Sequence, residues 1–173
     1  RDGTLDQSNM YRVDADEYQH RIRRMALMED DIVYSREGER WGHAALIPES
    51  GKLCLGQRMM HFRAADDTNP ASLMWQLNSD ATYRQGQVDT VGATSPHVNV
   101  GTIRNFALAQ PPQTEQAEIV AWVQEQADEF DDLIDRATDA VQLLMERRSA
   151  LISAAVTGQI DVRGLAPAQE QAA

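Results

Sequence analysis

The chain has 173 residues, of which 42% are hydrophobic and 25% are charged, and its formal net charge is −11 at pH 7. This length permits one core of moderate size plus an extension, and a single cysteine, Cys54, excludes an internal disulfide framework. No run approaches the ~18 consecutive apolar residues of a membrane helix and no signal peptide opens the chain, so we expect a cytoplasmic protein without membrane contact.

In chain order, residues 1–110 predict a domain of mixed α and β structure with short strands. A helix opens at the capping-box pair Asp14 and Glu17. Short runs of β-branched, aromatic and other apolar residues between turn signals predict strands at residues 32–35, 44–47, 53–55 and 59–62. Helical spacing returns at residues 70–77, and two closing strands are predicted at residues 98–100 and 106–108.

The last third predicts one long coiled-coil helix. Pro111 and Pro112 cannot continue a helix backwards, Thr114 is a candidate N-cap, and Gly158 fits a left-handed C-cap. Apolar residues recur from residue 120 in alternating steps of three and four, the period of 3.5 that is typical of a coiled coil. An ordinary amphipathic helix folded back on its own domain is the alternative. The seam residues expected to pair with another helix are Val123, Phe130, Ile134, Val141, Leu144 and Leu151.

The predicted fold class is therefore α+β. A globular domain with a short-stranded sheet occupies residues 1–110, a long helix residues 111–158 and a tail residues 159–173. Residues 1–110 carry 12 Arg or Lys against 15 Asp or Glu, a net charge of −3, whereas residues 111–173 carry 4 against 12, a net charge of −8. Phosphate repels an acidic helix, so the helix is expected to stand clear of nucleic acid or to face protein partners.

The helix and its flanks resemble the second spacer helix of the DNA specificity subunit of type I restriction-modification enzymes. The resemblance lies in Gln110-Pro111-Pro112-Gln113-Thr114-Glu115-Gln116 at the start and Glu146-Arg147-Arg148-Ser149 near the end. Residues 29–38, 53–60 and 92–94 are similar, in order and spacing, to the target recognition domain that precedes that helix, so the resemblance covers nearly all of residues 1–163. Family members carry two recognition domains and two spacer helices. We therefore expect a C-terminal fragment or half-length subunit that lacks at least one leading strand.

The resemblance implies a non-catalytic subunit without a cofactor or metal. It would read one half of a bipartite site on double-stranded DNA, pair its helix with a second spacer helix or another copy, and dock methyltransferase subunits. Through those subunits it would meet the restriction and translocase subunit. Two other hypotheses stay open: a coiled-coil scaffold that does not bind DNA, and an uncharacterised enzyme domain.

Side chains with bidentate donors and acceptors on loops are the candidates for contacting DNA. We expect phosphate or guanine contacts from Arg36 and Arg40, a base contact from Gln57 or Arg58, and phosphate contacts from Thr94 and Ser95. The alternative for each is an arginine in a surface salt bridge, or a hydroxyl that closes a turn. The full set of candidates is Arg36, Glu37, Arg40, His43, Gln57, Arg58, Thr94, Ser95, His97 and Asn99.

Signatures of catalysis are missing from the sequence. The pair Pro111-Pro112 is followed by Gln113, not by the aromatic residue of an amino-methyltransferase motif, and no phosphate-binding glycine loop with lysine occurs. The four histidines are scattered and the cysteine is alone, which does not fit a zinc site.

Overall fold

The computed structural model describes residues 3–8, 10–38, 41–48, 52–88 and 96–162. The chain divides into two compact units, residues 1–124 and residues 125–173. The elements in chain order are α1 (Ala15–Ile22), β1 (Ile32–Ser35), β2 (Ala44–Leu46), β3 (Met59–Phe62), α2 (Pro70–Asn78), α3 (Asp80–Gln87), α4 (Val100–Arg104) and α5 (Gln113–Val156). The α+β fold class predicted from the sequence is confirmed.

The three strands form an antiparallel sheet with β1 at its centre, in the order β2-β1-β3. Ile32 lies opposite Leu46 on one side and Phe62 on the other, and Ser35 lies opposite Met59. Since both neighbours run antiparallel to β1, the C-terminal end of β1 and the N-terminal ends of β2 and β3 lie at the same end of the sheet. The loop after β1 and the turn before β3 are therefore neighbours.

Successive side chains of β1 alternate between two apolar clusters, as the pleat of a strand requires. Ile32 and Tyr34 are fully buried in the larger cluster, to which α2 contributes Met74 and Leu77. Val33 faces a smaller cluster, which is covered by leucine side chains from the segments around residues 5, 27, 53 and 55. Burial on both faces explains why residues 32–34 form an apolar run without polar alternation.

β2 is an edge strand whose outer backbone groups are covered. The buried side chain of Asn78 accepts the N–H of Ala44 at 2.8 Å and donates to the Ala44 carbonyl at 2.9 Å, as a further strand would. The N–H of Leu46 donates to the Gly3 carbonyl at 3.3 Å. These bonds satisfy groups that would otherwise remain open for pairing with another chain.

Helices α2 and α3 are separated by a single residue. Asn69 caps α2 by accepting the N–H groups of Ala71 and Ser72, and Ser79 caps α3 by accepting the N–H of Thr82. The predicted helix over residues 70–77 is confirmed, whereas α3 was not predicted because its sequence is polar and contains Gly86. That glycine permits close packing, since a Cβ at this position would lie 2.9 Å from the ring of Trp41.

Three of the predicted strands are wrong. Residues 53–55 have no strand partner and pack with their side chains on the smaller cluster. The predicted strand at residues 98–100 runs into the short helix α4, which begins at Val100, and residues 106–108 follow that helix. Val98 and Ile103 are both buried. Apolar residues at this spacing suit either a strand or a single helical turn, and the chain takes the turn.

The long C-terminal helix is confirmed: α5 has 44 residues. It begins at Gln113, so Thr114 is not its N-cap, but the predicted C-cap at Gly158 is correct. Gly158 has φ of +73°, and the N–H of Gln159 donates to the Ala154 carbonyl at 2.8 Å, which closes the last turn. None of the helices among the described residues is long and apolar enough to cross a membrane.

Glutamine side chains attach the segment before α5 to the helices of the first unit. Gln85 accepts the N–H of Ala107 at 2.8 Å and donates to its carbonyl at 3.0 Å, while Gln76 accepts the N–H of Ala109 at 2.8 Å. These side-chain amides replace the backbone pairing that this irregular segment lacks.

The most buried of these contacts is made by Gln116, whose residue surface is only 2% exposed. Its Oε1 accepts the N–H of Asn69 at 2.7 Å, and its Nε2 donates to the carbonyls of Pro111 at 2.8 Å and Asp67 at 3.1 Å. The amide therefore joins the first turn of α5 to the N-cap region of α2.

Candidate nucleic-acid interface

Three segments that are far apart in the sequence meet at the C-terminal end of β1. The N–H of Arg36 donates to the Arg58 carbonyl at 3.1 Å, and the Arg36 carbonyl accepts the N–H of Val98 at 2.9 Å. The N–H of Gly38 donates to the Pro96 carbonyl at 2.9 Å. We refer to residues 36–38, 57–58 and 96–98 as the β1-end junction.

Glu37 is held between the other two segments of the junction. Its backbone forms an isolated antiparallel bridge with His97, and its Oε1 lies 3.5 Å from Nε of Arg58. The side chain of Glu37 is 26% exposed and that of Arg58 is 67% exposed. An ion pair with this much exposure typically contributes about 0–1 kcal/mol, so Arg58 can readily exchange its partner.

Three other polar residues of the predicted set lie in these segments or directly after them. Arg36 is half-buried, and its guanidinium forms no ion pair with any of the described residues. Gln57 is exposed in the turn before β3. Asn99 is exposed at the N-cap of α4, where its side chain makes no capping hydrogen bond. The junction thus displays cationic and amide donors around a single carboxylate among the residues 36–38, 57–58 and 96–98.

His43 lies beside the junction. Its N–H donates to Oγ of Ser35 at 3.0 Å, and its carbonyl accepts the N–H of Ser35 at 2.8 Å. These bonds continue the pairing of β1 and β2 to the point where the connecting loop begins. Of the remaining candidates, Arg40, Thr94 and Ser95 lie outside the described residues.

Gly42 completes the turn that brings the chain back into β2. Its φ is +84°, a conformation that glycine adopts without strain, and a Cβ there would lie 2.8 Å from the ring of Tyr83. Trp41, the preceding residue, is stacked on Tyr83 with ring centroids 4.3 Å apart. The end of the loop is therefore anchored in the core.

The opposite end of the same strands carries a charged cluster that was not predicted from the sequence. Asp31, which precedes β1, has a side chain only 2% exposed, and both of its carboxylate oxygens accept from Arg63 at 2.7 Å. Nε2 of His61 lies 2.8 Å from Oδ2 of Asp31, and the N–H of Met28 donates to that oxygen at 2.7 Å.

Burial by itself would raise the pKa of Asp31, but its partners outweigh that effect. The hydrogen bonds from Arg63 and Met28 and the adjacent His61 together hold the pKa of Asp31 below its ordinary value. The hydrogen bond to Asp31 likewise raises the pKa of Arg63, against a smaller opposing effect of desolvation. Asp31 is thus a buried carboxylate that stays charged.

A metal centre is not formed by this cluster or by others in the described ranges. Within residues 3–8, 10–38, 41–48, 52–88 and 96–162, no group of three or more His, Cys, Asp or Glu side chains is placed to hold a metal ion.

Comparison with known families identifies the domain. The model of the type I restriction modification DNA specificity domain matches residues 7–142, well over half of the chain. The chain belongs to this family. The matched range of the specificity domain includes all described residues of the β1-end junction, the charged cluster at Asp31 and most of α5.

This match confirms the resemblance inferred from the sequence, and it gives the chain the role of a type I restriction-modification specificity domain, a family that is in general non-catalytic. A search of curated proteins found no match for this specificity domain.

Proposed function

We propose that the chain reads one half of a bipartite DNA site through its β1-end junction and docks methyltransferase subunits through α5. The observation that carries the first part is the convergence, at one end of the sheet, of three segments that each carry a polar side chain. Sequence-specific proteins need several donors and acceptors within reach of adjacent base edges, and isolated surface arginines do not provide that.

The side chains of the junction can bind both base edges in the major groove and the phosphates of the DNA backbone. Arg36 and Arg58 carry the planar donor groups that bind phosphate or the O6 and N7 of guanine. Gln57 in the junction and Asn99, which follows its last segment, carry amides that both donate and accept. The backbone bonds between the segments hold these residues on a scaffold of paired strands. A preformed arrangement of this kind lowers the entropy lost on binding.

The second part of the proposal concerns α5. Phe130, Ile134 and Leu144 are 64%, 60% and 63% exposed, and Val141 and Leu151 are about half exposed. Burying a fully exposed side chain of this size yields about 1.5–3 kcal/mol, so each of these half- to two-thirds-exposed side chains would contribute roughly 1–2 kcal/mol on association. We propose that the seam pairs with a second spacer helix or another copy. The same helix would dock methyltransferase subunits, and through them the restriction subunit.

Duplex binding by arginine variants tests the first part. Arg36→Ala and Arg58→Ala should each weaken binding at low salt by about 1–3 kcal/mol if the arginines contact bases. Arg136→Ala is the matched control, because Arg136 is 74% exposed and also forms a surface ion pair, with Asp132, but lies in the second unit. Equal affinity of all three variants and the parent would remove the junction as the DNA-contacting surface.

Co-purification with the matching methyltransferase subunit tests the second part. Ile134→Asp places a charge in the seam and should abolish association, whereas Gln142→Asp alters an exposed position outside the seam and should leave it intact. Loss of association in both variants, or in neither, would contradict a role of the seam.

The scaffold hypothesis has one observation in its favour, the net charge of −3 on residues 1–110, the domain that would have to bind DNA. A protein of that kind would associate through α5 and show no salt-sensitive shift on duplex DNA. The two assays above therefore distinguish it from the proposed specificity subunit.

A further inference from the structure

The contact between Glu37 and Arg58 presents an acceptor beside a donor on the candidate DNA surface. Nε of Arg58 lies 3.5 Å from Oε1 of Glu37, so the terminal amino groups of Arg58 can donate elsewhere while Nε stays beside the carboxylate. The bridge between Glu37 and His97 fixes the backbone of Glu37. The hydrogen bond from the N–H of Arg36 to the Arg58 carbonyl fixes the backbone of Arg58.

A carboxylate on such a surface limits the DNA groups that can bind there to hydrogen-bond donors. Phosphate oxygens and the ring nitrogens of guanine and adenine repel it, because all of them are acceptors. In the major groove only the exocyclic amines of cytosine and adenine donate, and the amine of adenine lies beside the acceptor N7 of the same base. Cytosine presents its amine without a neighbouring acceptor on the same ring, so the carboxylate favours cytosine.

The arginine completes the pattern. A cytosine–guanine pair presents N4–H of cytosine next to O6 and N7 of guanine, in the order donor, acceptor, acceptor. Glu37 and Arg58 together present one acceptor and two donors in the complementary order. We infer that Glu37 and Arg58 read a single cytosine–guanine base pair in the major groove, with Glu37 as the residue that determines the specificity. This inference rests on the proposed function of the junction.

The test uses the full chain and a library of duplexes randomised over the central base pairs. Several rounds of selection at low salt should yield a preferred sequence with a cytosine–guanine pair at one position. Glu37→Ala and Arg58→Ala should each reduce the preference at that same position, by about 5–150-fold, while preferences at the other positions persist. Glu37→Gln should shift the preference there towards adenine–thymine, because a glutamine amide pairs with adenine in a bidentate manner.

Asp80→Asn is the control for the change in charge, since Asp80 forms an exposed ion pair with Arg84 on α3, outside the junction. It should leave the selected sequence unchanged. The inference is overturned if the Glu37 and Arg58 variants relax different positions, if all positions relax together, or if the profile of Glu37→Ala equals that of the parent. If the parent chain enriches no sequence, the proposed function itself fails, a result that is distinct from the others.

Discussion

Replacing Gln116 with alanine should loosen the attachment of the first turn of α5 to the N-cap region of α2. The substitution removes three hydrogen bonds, so the N–H of Asn69 and the carbonyls of Asp67 and Pro111 each lose the Gln116 amide as partner. The site is buried, since Gln116 is only 2% exposed. Each such bond contributes about 0.5–1.5 kcal/mol net, so we expect a loss of about 2–4 kcal/mol in the free energy of unfolding. For a domain of this size, that corresponds to a fall in Tm of roughly 4–16 °C.

Urea denaturation followed by tryptophan fluorescence measures the effect in the first unit, which holds Trp41, Trp75 and Trp122. Gln142→Ala is the matched control, because this exposed glutamine on the same helix bonds only to Glu146, at 3.2 Å, among the contacts described. It should change stability by less than about 0.5 kcal/mol.

A second variant at position 116 distinguishes the effect of losing the Nε2 donor from the effect of losing the whole glutamine side chain. Gln116→Glu keeps an acceptor for the N–H of Asn69 but sets a carboxylate against the carbonyls of Asp67 and Pro111. We expect it to be at least as destabilising as Gln116→Ala. If Gln116→Glu is tolerated, or if Gln116→Ala behaves like Gln142→Ala, the reasoning about this buried amide is refuted.

The remaining predictions concern Asp31, at one end of the sheet, and Gly86 on α3. Asp31→Asn should destabilise the first unit by about 2–3 kcal/mol, because it removes a buried charge that accepts from Arg63 and the N–H of Met28. The pKa of Asp31 is lowered in the folded chain, so its contribution to the free energy of unfolding is present above about pH 4 and is lost as the pH falls below that value. A plot of stability against pH should therefore be flatter at acidic pH for Asp31→Asn than for the parent. An equally steep acidic limb in both proteins would argue against this. Gly86→Ala should destabilise by about 1–3 kcal/mol despite the better helix propensity of alanine, because its Cβ would lie 2.9 Å from Trp41, and a stabilised variant in the same denaturation assay would show that the ring can move.

Local patterns in the sequence predicted most of the elements correctly. The apolar run that begins at Ile32 became the central strand, and the alternating steps of three and four became α5. Both signals are local and need no knowledge of distant partners, and the pattern of α5 is the stronger because it repeats along 44 residues. Where a pattern is only three residues long, as at residues 98–100, it does not separate a strand from a turn of helix.

The arrangement of the candidate site was not predictable in the same way. Arg36, Arg58 and Val98 come from three segments whose backbone bonds depend on the order of the strands. The cluster of Asp31, His61 and Arg63 depends on the same register, which places residues some thirty positions apart beside each other. A hint was available, since Asp31 immediately precedes one strand and Arg63 immediately follows the strand that pairs with it.

The placement of these two charged groups separates folding from recognition. The buried carboxylate of Asp31 contributes to stability at one end of β1. At the other end, the ion pair of Glu37, 26% exposed, and Arg58, 67% exposed, contributes about 0–1 kcal/mol. Positions 37 and 58 can therefore change identity with little effect on whether the chain folds. If the junction reads DNA, new target preferences can arise by substitution at these positions on an unaltered scaffold, which is a physical basis for the diversification of such domains.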